Sequence, residues 1–142
     1  MPLIYGYDQQ VAAWVWRQIP ELSTLAPAPD IRAIGITRDQ ALIGGVVFSD
    51  YVPLHGGGNI HITIAGHSGW LSRKVLRAVF GHVFSQYKCN RATCIVGYKN
   101  KKSRELALRL GFKEEGKIRG AYGPKRDGIL YGLLKEECIW NG

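Results

Sequence analysis

The chain has 142 residues, 46% hydrophobic and 21% charged, which suits one soluble domain, 1–142, able to bury a core. Its formal charge is +8. No apolar run reaches the length of a membrane span, and the N-terminus lacks a signal-type segment, so the expected location is the cytoplasm with no membrane partner. The three cysteines, Cys89, Cys94 and Cys138, are odd in number and lack metal-ligand spacing, so they read as free thiols and no metal site is expected.

Leu3–Tyr5 reads as a short opening strand. From Asp8, a plausible cap, the residues Val11, Trp14, Val15, Ile19 and Leu22 recur at helical spacing, with Pro20 near the helix end. The prolines at 27 and 29 make a loop. Residues 31–36 and 41–49 form a hairpin around Arg38-Asp39-Gln40, and Gly44-Gly45 suggests a bulge or a close backbone approach. His55 to Asn59 is a glycine-rich connecting loop, because a phosphate-binding loop of this kind needs a helix after it and here a strand follows. In that strand, 60–65, Ile60, Ile62 and Ile64 point one way and His61 and Thr63 the other. Gly66 to Trp70 turns the chain into a helix with a broad apolar face, Leu71 to Tyr87. A strand at 91–98 follows, then a helix capped by Asn100, with Leu106 and Leu110 on its apolar side and closed by Gly111-Phe112. Strands at 115–122 and 129–134 end the sheet, joined by an exposed turn. The tail at 136–140 docks, with Trp140 packing.

Charge divides the chain. Residues 1–70 hold three Lys/Arg against five Asp/Glu, and residues 71–142 hold sixteen against six. The basic half calls for an anion: a nucleotide with several phosphates, a nucleic acid, or solvent over an ordinary basic surface. The turn at 66–72 is one place for it. A helix start offers unpaired N–H groups and the positive end of the dipole, yet Arg73, Lys74 and Arg77 crowd the first two turns. A bound anion relieves that conflict.

The run Asn100, Ser103, Leu106, Ala107, Gly111-Phe112 resembles the closing motif of the GNAT acyltransferase superfamily, Asn-x-x-Ala-x-x-Leu-Tyr-x-x-x-Gly-Phe. Ser103 stands for Ala, and Ala107 stands for the Tyr that serves as general acid in the family. Glu114 to Arg119 is similar to a Glu-Gly-x-x-Arg run common there. The family's pyrophosphate motif, Arg/Gln-x-x-Gly-x-Gly/Ala, falls on Gly66 to Ser72, where Gly69 matches while Gly66 and Leu71 depart. Element order agrees over nearly the whole chain. The resemblance implies an α+β fold: a mostly antiparallel central sheet with flanking helices, whose strands at 60–65 and 91–98 splay apart to admit acyl-CoA.

It further implies an N-acyltransferase that moves an acyl group, acetyl first, from CoA to an amine by direct attack. Acetyl-CoA is the implied cofactor, held along Ile62 and Ile64, at His67, Ser68, Gly69, Trp70, Leu71, Ser72 and Arg73, and by Asn100 and Ser103. Aminolysis needs a base near the amine and a donor near the sulfur. His61 is the candidate base or a structural histidine. Tyr98 is the substitute acid, with Tyr122 and Tyr131 as weaker choices, and Asp50 and Tyr51 are placed to reach the acceptor. The acceptor is a small-molecule or protein amine of unknown identity. The alternative is a GNAT fold without catalysis, its basic face holding nucleic acid or a protein partner. A homodimer also stands among the expectations.

Overall fold

A computed structural model describes residues 2–140. Seven strands form one sheet in the order β1-β2-β3-β4-β5-β7-β6: β1 Leu3–Tyr5, β2 Arg32–Arg38, β3 Ala41–Leu54, β4 Gly57–Gly66, β5 Arg91–Gly97, β6 Lys113–Ile118 and β7 Gly128–Leu134. Every pair is antiparallel except β4 with β5. These two are joined through α2, Arg73–Gly81, which runs into a wider turn, His82–Gln86. A parallel pair requires such a crossover. The expected α+β architecture, a mostly antiparallel sheet with flanking helices, is observed.

Period-two alternation divides the core into two layers. Val46, Phe48, Ile60 and Ile62 are buried on the face covered by α2, where Val75, Val79, Phe80 and Phe84 meet them, with Ala107 of α3, Lys101–Arg109, and Leu110 at its C-terminal cap in the same cluster. Ala33 and Val47 face the other way and cluster with Val11, Ala12 and Val15 of α1, Asp8–Gln18. The paired glycines of β3 are explained by close approach. A Cβ on Gly44 would stand 2.2 Å from the Trp70 ring, and one on Gly45 2.7 Å from Val15. Gly66 opposite Gly44 leaves room for the same indole, since its Cβ would come 2.3 Å from it.

Three local expectations need correction. Asp8 does not cap α1; its Oδ1 accepts from the Ala33 N–H at 2.8 Å, so it ties the helix start to β2. The stretch from His55 to Asn59 is not a loop, because the turn is only His55-Gly56 and Gly57 to Asn59 belong to β4. Its glycines make space for Asn90, whose Oδ1 accepts from Gly58 N–H at 2.8 Å and would lie 2.5 Å from a Cβ on Gly57. The strand expected at 115–122 runs instead from Lys113 to Ile118.

The α3 segment has both its expected ends. Asn100 Oδ1 accepts from Ser103 N–H at 3.3 Å. At the other end Phe112 N–H reaches Ala107 C=O and Gly111 N–H reaches Leu108 C=O, both at 3.0 Å, with Gly111 at φ 103°. This paired closure is the Schellman arrangement, which needs a left-handed residue at Gly111. Phe112 is then buried, 6.2 Å from the Phe80 ring, and Trp140 docks the tail by donating to Leu110 C=O at 3.0 Å.

Candidate active site

The site begins where β4 and β5 stop pairing. They are in register at Asn59–Arg91, Ile60–Ala92 and His61–Thr93, and no rung follows. Beyond that point β4 stays with β3 as far as Gly66–Gly44, while β5 stays with β7 as far as Gly97–Gly128. The sheet is thus open between Ile62–Gly66 and Cys94–Gly97.

An inner cavity of ≈ 60 Å³ fills this opening. Ile62, Thr63 and Ile64 line one side and Cys94, Ile95, Val96 and Gly97 the other. Asn100, Ser103, Leu106 and Ala107 close it from α3, while Ile19, Leu22 and Tyr122 close it elsewhere. A wider cleft of ≈ 1080 Å³ adjoins it, sharing Ile19, Ile64, Asn100, Ser103 and Leu106 with the inner cavity. Its wall includes the turn from Gly66 to Leu71 and four cations, Lys99, Lys102, Arg109 and Arg126.

The expected cofactor residues sort themselves against this geometry. Ile62 and Ile64 line the inner cavity, His67, Ser68, Gly69, Trp70 and Leu71 line the cleft, and Asn100 and Ser103 lie where the two meet. Trp70 is buried and supports the turn from beneath. Gly69 adopts φ 83°, a conformation that favours glycine. Ser72 and Arg73 lie outside the lining. Ser72 Oγ accepts from Val75 N–H at 3.2 Å as the cap of α2, and the Arg73 guanidinium stands 5.7 Å from the Trp140 ring. The cations that reach the cleft come mainly from the chain around α3.

The expected proton-transfer residues are more scattered. His61 occupies the last paired rung, opposite Ser49 and Thr93, and lines neither cavity. Tyr98 is 49% exposed, between Arg104 and Lys117, whose charged groups lie 5.1 and 5.2 Å from its ring. Asp50 and Tyr51 sit beyond the paired end of the opening, where Tyr51 donates to Tyr87 C=O at 3.1 Å. The antiparallel register of β3 with β4 carries them away from the open end. Tyr131 is fully buried and accepts from Arg104 Nε at 3.2 Å. His82 is half-buried against Phe48 and Tyr87, and burial lowers its pKa below the usual value.

Tyr122 is the tyrosine that reaches the cavity. Its hydroxyl donates to Ile95 C=O at 3.1 Å, and burial, followed by the nearness of Cys94 and Glu21, pushes its pKa up to about 12. Burial also pushes the Cys94 thiol up to about 12, so both stay protonated near neutral pH. Glu21 was not anticipated. It sits on the short turn Pro20–Leu22 after α1, and its Oε2 is the one buried side-chain polar atom without a partner among the described residues. Tyr122 stood among the weaker tyrosine choices, whereas Glu21 has no local sequence signal and is found only through its position over β5.

Comparisons with known proteins agree with this fold. No family model matches the chain. It is 39% identical over 69 residues to the Bacillus subtilis (strain 168) protein named "Putative ribosomal N-acetyltransferase YdaF"; the match takes in 46% of this chain and little more than a third, 37%, of that one. Among solved structures, the Vibrio cholerae spermidine N-acetyltransferase SpeG F149A mutant superposes with a TM-score of 0.70 over 98% of each chain at 20% identity. Mycobacterium smegmatis RimJ in complex with CoA-disulfide gives 0.68 at 17% identity, over 95% of this chain and 82% of that one. These comparisons lend no support to a nucleic acid or a second copy of the chain as partner. No helix among the described residues is long and apolar enough to cross a membrane. Whole-chain likeness to these structures shows a fold of the GNAT acetyltransferase type, with sequence likeness over part of the chain only.

Proposed function

We propose that this chain is an N-acyltransferase that carries an acyl group, acetyl first, from a CoA thioester to an amine. The observation that carries the reading is the parting of β4 from β5 after His61–Thr93, with a cavity in the opening and four cations around the adjoining cleft. The residues present suit a nucleotide-tailed thioester. The unpaired edges past Ile62 and Cys94 offer backbone groups to the amides of an extended arm, as an open sheet edge does to a peptide strand. Lys99, Lys102, Arg109 and Arg126 offer charge to phosphates. Asn100 uses its oxygen to cap α3, which leaves its amide N–H groups to donate toward the opening.

One of the chain's groups serves the leaving sulfur in this reading. Ala107 lines the inner cavity but has no proton to give. Ser103, one turn earlier on α3 and at the junction of cavity and cleft, has a hydroxyl that can donate to a departing thiolate, alone or with water. The Tyr122 hydroxyl is bonded to Ile95 C=O and held high in pKa, so it keeps the wall polar without ionising. The relatives' names refer to the ribosome and to spermidine, and both suggest an amine as acceptor for this chain.

Two measurements test this. Isothermal titration with CoA should show saturable binding, and release of free thiol from acetyl-CoA should rise when amines are added. No binding at millimolar CoA would sink the proposal.

A further inference from the structure

Among the described residues, one acidic side chain beside the open sheet keeps a buried oxygen without a partner. Glu21 lies so close to β5 that a Cβ on Gly97 would come 2.0 Å from its Oε1. Gly97 therefore makes a seat for this carboxylate on the strand backbone. Its other oxygen, Oε2, is buried without a partner. A buried carboxylate oxygen lacking a donor costs stability. Such a group in a native fold calls for an explanation, and an arriving donor is the simplest one.

The position defines that donor. Glu21 lines the cleft, its neighbours Ile19 and Leu22 line the inner cavity, and Gly97 belongs to both the seat and the cavity wall. Cys94 and Tyr122 are near enough to influence one another and Tyr122 to feel Glu21, but both are protonated groups held up to about 12. Lys99 and Arg126 share the cleft without pairing to Glu21 within 4.0 Å. The carboxylate thus has an anion's attraction and a free acceptor at one end of the opening, with apolar surface beside it.

We infer that Glu21 receives the acceptor as a primary alkylammonium and removes its proton, with the alkyl chain resting against Ile19 and Leu22. The inference rests on the acyl-transfer reading and names the acceptor's chemical class within it. The ammonium gives one proton to Glu21, which passes it to water. The neutral nitrogen then forms the C–N bond at the thioester carbonyl, and the C–S bond breaks with its electron pair on sulfur. The second nitrogen proton is lost as the amide forms, and one proton ends on the thiol.

The test compares wild type with Glu21→Gln and Glu21→Asp, using acetyl-CoA with n-butylamine, a cation at neutral pH, and aniline, neutral there. CoA affinity is measured alongside by titration. The wild type should acetylate n-butylamine in preference to aniline. Glu21→Gln should lower kcat/KM for n-butylamine about a hundredfold, the scale of a lost general base, with CoA affinity within about twofold. Because it removes an uncompensated charge, its thermal midpoint should hold or rise, and Glu21→Asp should recover part of the rate. The inference is overturned if the wild type binds CoA yet acetylates no n-butylamine, if it prefers aniline, or if Glu21→Gln keeps its rate within threefold. Failure of the wild type to bind CoA is a different result: it removes the acyl-transfer reading, and this inference with it.

Discussion

The two ends of β4 have the same alternating isoleucines but opposite fates. At the paired end, Asn59 to His61 are locked to Arg91 to Thr93. Thr93 Oγ1 donates to Asn59 Oδ1 at 2.6 Å and accepts from Arg91 Nε at 2.9 Å, and the Arg91 guanidinium bonds Glu115 at 2.6 and 3.1 Å. Asn90 adds two bonds to Gly58. At the parted end no rung joins the strands, and α3 with the Pro20–Leu22 turn borders the opening instead. Hydrophobic alternation thus sets a strand's faces, while polar side chains and neighbouring elements decide whether its edge is shared.

The largest effect is expected at the parted end. Ser103→Phe places a ring where cavity meets cleft, and CoA affinity should fall at least a hundredfold, about 2.7 kcal/mol. Because Ser103 is only half-buried, the thermal midpoint should barely move. Titration with CoA and a melting curve check both halves of that outcome. The support beneath the opening comes next. Gly44→Val drives methyls into Trp70, whose ring already lies where a Cβ would be, and should destabilise by about 1–3 kcal/mol, read from denaturant unfolding. At the paired end the reverse pattern is expected. Thr93→Val removes the bridge between Asn59 and Arg91 and should cost about 1–2 kcal/mol, while CoA affinity stays within about twofold.

The smallest effect concerns pH. Hydrogen bonding from Arg91 holds the Glu115 carboxyl below the usual carboxylate range. A depressed folded pKa stabilises above the unfolded value, and that stabilisation is lost as pH falls through the folded one. The pair is partly solvated, so about 0.5 kcal/mol is expected. Wild type should exceed Glu115→Gln in stability at neutral pH, and the gap should close as acid is added.

Much of the fold was legible because it rests on local signals. Ile60, Ile62 and Ile64 announce a strand, and Asn100 with Gly111-Phe112 marks both ends of α3. Those caps formed as read because each needs only residues within a turn of itself. The surroundings of the candidate site were legible in outline: the opening lies beside Ile62 and Ile64, and the turn at 67–71 lines the cleft. What escaped depends on distant geometry. Arg73, expected at the phosphates from its place in the first turn of the helix after the turn at 66–72, stands over Trp140, while Lys102 and Arg109 of α3 line the cleft. His61 alternates to the α1 side at a rung that is still closed. Glu21 is a lone acid after a proline, and its meaning exists only once Gly97 is seen beneath it. The extent of β3 and β4 past Asp50 was hidden because glycines at 57 and 58 disguise a strand whose space is taken by Asn90.

Hydrogen exchange of the protein, with and without CoA, reads whether the opening between β4 and β5 takes the cofactor. Exchange should slow in residues 62–71 and 94–103, which border the opening, and stay unchanged at the tip of the β3–β4 hairpin, residues 51–58. Protection confined to the hairpin, or none near the opening under saturating CoA, would contradict binding in the opening.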